Sequence, residues 1–116
     1  MSQSAISSSR GLPDSNAGRY YSSVIRIIAD RDTARVWQRL MVRRWSPALQ
    51  RAAYRKLLML DAAVSLSDLR ASPGNHLEKL AGDRAGCQSI RINDQWRVCF
   101  QWKDGDAFKV EIVDYH

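Results

Sequence analysis

The chain has 116 residues, a formal net charge of +6, a sequence pI near 9.8 and 45% hydrophobic residues. That suits one small domain with one core and is too apolar for wholesale disorder. No apolar run approaches the roughly 20 residues of a membrane-spanning helix, and the basic balance favours an acidic partner such as nucleic acid.

Residues 1–21 are rich in Ser and Gly and almost without apolar periodicity. They are expected to be a poorly ordered extension ahead of a domain over residues 22–116. They lack the apolar stretch of a secretory signal. Residues 23–29, SVIRIIA, are β-branched and short, which predicts the first strand. A helix is predicted from Asp32 to about Arg43, with Asp30 or Asp32 as N-cap. Ser46 and Pro47 then start a second helix, as N-cap and first helical residue. Its apolar stripe is Leu49, Ala53, Leu57, Leu60 and Val64, one face of an amphipathic helix.

The remaining surface of both helices is basic. Arg31, Arg35, Arg39, Arg43, Arg44, Arg51, Arg55 and Lys56 stand against Asp32 alone. Solvated faces and a docking surface for an acidic partner or RNA both fit that pattern. Ser65 and Asp68 have the spacing of a capping box, which predicts a short helical turn. Residues 72–75 read as a turn, residues 76–80 as a strand, and Gly82-Asp83 as another turn.

From Gly86 onward the apolar residues alternate: Ile90, Ile92, then Trp96, Val98, Phe100, Trp102, then Phe108, Val110, Ile112. Two turn clusters, Asn93-Asp94-Gln95 and Asp104-Gly105-Asp106, break the runs. This predicts a three-stranded antiparallel meander. If Ile92 faces Trp96 on the core side, Arg91 stands opposite Arg97 on the other face. Like charges so opposed are destabilising. One reading is an open sheet face that receives an anion; the other is two solvated arginines splayed apart near Glu111. The same register sets Cys87 and Cys99 on a diagonal, roughly 7–8 Å apart, beyond the usual disulfide spacing. Reduced thiols in a cytoplasm are expected, and no zinc-site spacing exists.

Several motifs together resemble one family. They are Pro73-Gly74-Asn75, residues 77–84 (LEKLAGDR), Ser89-Ile90-Arg91-Ile92-Asn93, Trp96-Arg97-Val98 followed by Phe100, and the terminal Val113-Asp114-Tyr115-His116. In combination they resemble the HigB-type toxins of the RelE/ParE superfamily, over nearly all of residues 24–116. The resemblance implies an α+β fold with two N-terminal helices packed on a small twisted, mainly antiparallel β-sheet. It implies a toxin of a type II toxin–antitoxin system: a ribosome-dependent, metal-independent endoribonuclease that cuts mRNA, needs no cofactor and acts in the cytoplasm. The implied partners are a HigA-like helix-turn-helix antitoxin, the ribosome and mRNA, with no membrane.

Metal-free RNA cleavage needs a proton acceptor, a stabiliser of phosphate charge and a proton donor to the leaving oxygen. His116 is a candidate proton-transfer group because the unperturbed pKa of a histidine lies near neutrality. Arg97 has the planar fork suited to phosphate. Tyr115 can stack on a base or assist proton transfer, Asp114 can orient His116, and Glu78 can act as a base. Arg91, Lys79, His76 and Arg84 are candidate RNA contacts. Strict alternation puts Asp114 and His116 on the core side and Tyr115 opposite, so convergence of the three requires a twist or bulge after Val113. Many relatives have His where Glu78 aligns and Lys where Ala81 aligns, which bears on rate and codon preference more than on fold. His76, two residues before Glu78, would share its side in a strand. A gyrase-poisoning, ParE-like action and an inactive antitoxin-binding module are the alternative functions.

Overall fold

The computed structural model describes residues 23–82 and 86–114. Helices α1 (Arg31–Trp37), α2 (Pro47–Ala62) and α3 (Leu66–Arg70) come first, then a 3-10 turn (Pro73–Asn75). Strands β1 (Glu78–Lys79), β2 (Cys87–Arg91), β3 (Trp96–Lys103) and β4 (Asp106–Asp114) follow. The four strands form one sheet in the order β1-β2-β3-β4, antiparallel throughout. The architecture is α+β. No described helix is long and apolar enough to cross a membrane.

The predicted meander is present in its predicted register. Ile90 faces Val98 and Arg91 faces Arg97, and the Ile92 amide donates to the Trp96 carbonyl at 2.8 Å. The Asn93 side chain closes the first turn, accepting from the amides of Gln95 and Trp96, each at 2.9 Å. The second turn is two residues long. Asp104 and Gly105 both take positive φ, the combination whose twist matches a hairpin. Cys87 and Cys99 form no disulfide and stand two register positions apart, on the expected diagonal.

One strand departs from strict alternation. Cys99 pairs with Glu111 but Gln101 pairs with Phe108, so Phe100 is opposed by both Lys109 and Val110. This is a β-bulge, and Lys109 sits in it at φ 53°. The bulge shifts the parity of β4. Ala107 is fully buried in the core, and Phe108, expected there, faces the other side with Gln101. The residues predicted as a first strand make only two isolated parallel bridges, Ile25 to Ala107 and Ile28 to Val110, on either side of that bulge.

The helices begin where the sequence predicts but do not all end there. Asp30 caps α1 through Thr33 N at 3.1 Å, and Ser46 caps α2 through Leu49 N at 3.1 Å, with Pro47 in the first turn. Ser65 and Asp68 form the capping box of α3. Helix α1, however, stops at Trp37 instead of near Arg43. Arg39 turns left-handed at φ 65°, Leu40 N bonds back to Arg35 O at 2.7 Å, and Arg39 N to Val36 O at 2.9 Å. That closure is a Schellman stop with Arg where Gly is usual. Gln50 of α2 then holds the loop, bonding the amide and carbonyl of Val42 and the carbonyl of Trp45. Leu49, Ala53, Leu57 and Leu60 are buried as the stripe predicts, in one cluster with Ile90, Val98, Phe100, Val110 and Ile112. Val64 lies beyond the end of α2 and is 82% exposed, so it is not part of that stripe.

Candidate functional site

The face of the sheet opposite the core is built in cross-strand rows, because residues paired in register project to the same side. One row runs Glu78, Ser89, Cys99, Glu111; the next runs Arg91, Arg97, Val113. The expectation of an open face applies to only part of it. Arg97 is buried, only 7% exposed, because the chain between the 3-10 turn and β1 closes over it.

Burying an arginine is costly unless its donors are satisfied. Arg97 Nε donates to Ser89 Oγ at 2.8 Å, and Nη2 donates to the carbonyl of His76 and to that of Ser89 at 3.3 Å. The Glu78 carboxylate lies 3.9 Å from Nη2, an electrostatic neighbour beyond hydrogen-bond length. Arg97 is therefore a cation fixed in one pose. Arg91 turns the other way. It pairs with Asp94, whose side chain is 97% exposed, and remains part-exposed itself. The two opposed arginines thus splay apart, one inward and one outward.

His76 does not share the side of Glu78. It sits at φ 42°, before the strand begins, so strand alternation does not reach it. Its backbone carbonyl holds Arg97, and the residue itself is exposed. Lys79 is exposed on β1 opposite Gln88. Asp114 still pairs with Trp96, and its Oδ2 accepts from Gln95 Nε2 at 3.1 Å. The ladder is regular from Val113 to Asp114, and the bulge of β4 lies nearer its start. Tyr115, His116 and Arg84 lie outside the described residues. The structure therefore brings together Arg97, Glu78 and the backbone of His76, while Arg91 turns outward. Asp114, paired with Trp96, keeps the core-side parity, with no twist or bulge between Val113 and Asp114 to bring it to Arg97.

Three residues to which sequence reasoning assigned no role at the site support this arrangement, although Asn75 and Ser89 stand in the family motifs and Lys56 among the basic residues of the helices. Ser89 is a fully buried hydroxyl within a strand; its signals were a place in the quoted motif and a polar residue on the parity of Arg97. Asn75 is fully buried, and its Nδ2 donates to the Leu69 carbonyl at 3.0 Å. Lys56 of α2 donates from Nζ to Asn75 Oδ1 at 2.7 Å. Its amine is held below the ordinary lysine range, first by burial, then by the charges of Arg55 and Arg91. Among the described residues no three His, Cys, Asp or Glu side chains gather as metal ligands would. A groove of about 280 Å³ lies elsewhere, between α1 and α2, lined by residues that include Arg39, Leu40, Met41 and Tyr54.

Residues 29–116 match the model of the HigB-like toxin family, described as RelE-like toxins of type II toxin–antitoxin systems. The chain is 52% identical over 60 residues to a protein named Toxin HigB-1 from Vibrio cholerae serotype O1, an alignment covering 52% of this chain and 63% of that relative. It is 36% identical over 61 residues to Endoribonuclease HigB of Proteus vulgaris, covering 53% of this chain and 65% of the relative. An uncharacterized protein of Haemophilus influenzae is 36% identical over 59 residues, covering 51% and 58%. Each alignment thus spans less than two thirds of the relative's own length.

Proposed function

Because the chain belongs to the HigB-like family of RelE-like toxins, we propose that it is a ribosome-dependent, metal-independent endoribonuclease that cuts mRNA in the cytoplasm and stops translation. The observation that carries this reading is Arg97. A guanidinium locked by Ser89 and by the His76 carbonyl is a preorganised positive charge, and it needs little rearrangement when a phosphorane gains negative charge. The name of the Proteus relative supports cleavage over gyrase poisoning.

Roles follow from chemistry and position. Arg97 stabilises the phosphate. Glu78, half-exposed beside it, accepts the proton of the ribose 2′-hydroxyl. His116 donates to the leaving 5′-oxygen, oriented by Asp114, and Tyr115 stacks on a base. Arg91, Lys79, His76 and Arg84 contact the RNA. The toxin domain is residues 22–116, with the two N-terminal helices forming the layer that backs the sheet, and residues 1–21 are an extension. The partner that silences it is a HigA-like helix-turn-helix antitoxin.

Brief induction in cells, followed by mapping of mRNA 5′ ends, tests the reading. Cleavage within translated frames is expected, lost in Arg97→Ala. Intact mRNA with DNA damage would instead place the chain with the gyrase poisons, and growth unaffected by either route would leave only an antitoxin-binding module.

A further inference from the structure

We propose that Asn75 is a positioning residue for Arg97: its buried side chain ties the helical layer to the loop carbonyl that holds the guanidinium. The role in cleavage rests on the mRNA-cleaving reading above; the mechanical link from Asn75 to Arg97 does not.

Arg97 is held from two sides, by Ser89 within the sheet and by the His76 carbonyl from the chain that crosses it. Ser89 is fixed by the ladder, between Glu78 and Cys99. The His76 carbonyl has no ladder to fix it, because β1 begins at Glu78. Its direction is set by the backbone of His76, at φ 42° and ψ 58°. A residue with a Cβ is disfavoured there, so its neighbours must hold it in that pose. The His76 amide reaches back to the Pro73 carbonyl at 3.3 Å, a long bond. Asn75 is the firmer anchor. Its Oδ1 accepts from Lys56 Nζ at 2.7 Å, and its Nδ2 donates to the Leu69 carbonyl at 3.0 Å and lies 3.1 Å from Met59 Sδ. Helices α2 and α3 thus grip both ends of one fully buried amide. Asparagine supplies the donor and the acceptor that this requires. Asn75→Asp would set a carboxylate oxygen against the Leu69 carbonyl. An asparagine that only closes its own turn bonds the amides that follow it, as Asn93 does with Gln95 and Trp96. The turn at Asn75 is closed by backbone instead, Asn75 N to the Ser72 carbonyl at 3.0 Å, and the side chain is directed to the helices. One residue on, that anchored chain presents its carbonyl to Arg97.

Two measurements on the full chain test this. The first follows the Arg97 guanidinium by NMR in isotope-labelled protein. Held in one pose, its Nη protons should give separate, slowly exchanging signals, and these should merge in Asn75→Ala. Lys56→Met keeps the aliphatic stem and removes the donor to Oδ1. It should move the signals in the same direction, which covers the case of an Asn75 variant that does not fold. The second is a double-mutant cycle in single-turnover cleavage on programmed ribosomes. Asn75→Ala should slow the chemical step by about 10–100-fold, as a displaced positioning group does, with little change in the toxin concentration at half-saturation. In an Arg97→Ala background it should slow the step no further. Arg97 signals unchanged in both variants overturn the link. Equal losses in the two backgrounds overturn it too, because Asn75 would then act without Arg97. Signals that merge while Asn75→Ala keeps the parental rate overturn the role in the reaction. If the signals merge as expected while cells induced for the parent chain keep intact mRNA, the link stands and the nuclease reading falls.

Discussion

A buried guanidinium persists only where protein groups replace the water it has lost, and Arg97 does this with one hydroxyl and two carbonyls. Ser89 matters most among them, because its hydroxyl accepts from Nε and its own carbonyl from Nη2. Ser89→Ala removes the side-chain acceptor and leaves a buried, charged donor short of a partner. We expect a loss of about 1–3 kcal/mol in urea denaturation, with cleavage falling further than stability because the guanidinium is no longer held in one pose. Unchanged stability would mean that Nε finds another acceptor. Lys109 makes the opposite case. It is exposed and sits at φ 53° in the bulge of β4, where a Cβ is disfavoured and only glycine is at ease. Lys109→Gly should stabilise the protein by about 0.5–1 kcal/mol in the same assay. Destabilisation would show that the lysine's own contacts outweigh the backbone conformation.

At the level of elements, the parts written in short-range chemistry were legible. Ser46 before Pro47, Asp68 three residues after Ser65, and the alternation around Val98 each state their own geometry. What escaped is set by groups distant in sequence or by residues in unusual roles. Helix α1 ends early with Arg39 in the left-handed position that Gly normally marks, and Gln50 organises the following loop from eight residues away. The bulge at Lys109 carries no glycine signal either, so the parity of Phe108 and Ala107 could not be read. The burial of Arg97 depends on how residues 75–78 cross β2, a tertiary approach that no local pattern encodes. The edge segment at residues 23–28 is anchored in the same way. One carboxylate oxygen of Asp61 accepts from Ser23 Oγ, Val24 N and Ile25 N, each at 2.8 Å. Asp61→Ala should therefore cost about 2 kcal/mol and raise the hydrogen-exchange rates of the Val24 and Ile25 amides selectively. Uniform acceleration across the sheet would show that the anchor is not local.

For the whole molecule, the surplus of positive charge is distributed over two surfaces with different chemistry. Three arginines of the helical layer have partners of their own: Arg44 has Asp32 at 2.6 Å and the Trp45 ring, Arg39 the Tyr54 ring, and Arg35 the Met41 carbonyl. Such groups attract an acidic partner and give salt-dependent binding without positioning a reacting atom. Arg97, by contrast, is fixed in place on the sheet face by Ser89 and the His76 carbonyl. Residues 1–21 have almost no apolar periodicity, so a chain starting at Ser22 should keep its melting temperature and its antitoxin binding; aggregation of that truncation would make residues 1–21 part of the domain. The central claim is that the face bearing Arg97 performs the chemistry while the helical face serves association. Single-turnover cleavage on programmed ribosomes, at saturating toxin, separates the two. Arg97→Ala should slow the chemical step by about 10²–10³-fold, and joint removal of charge at Arg39, Arg43 and Arg51 should leave it nearly unchanged while weakening ribosome or antitoxin binding. A helical variant that loses the chemical step, with Arg97→Ala retaining it, would contradict the account.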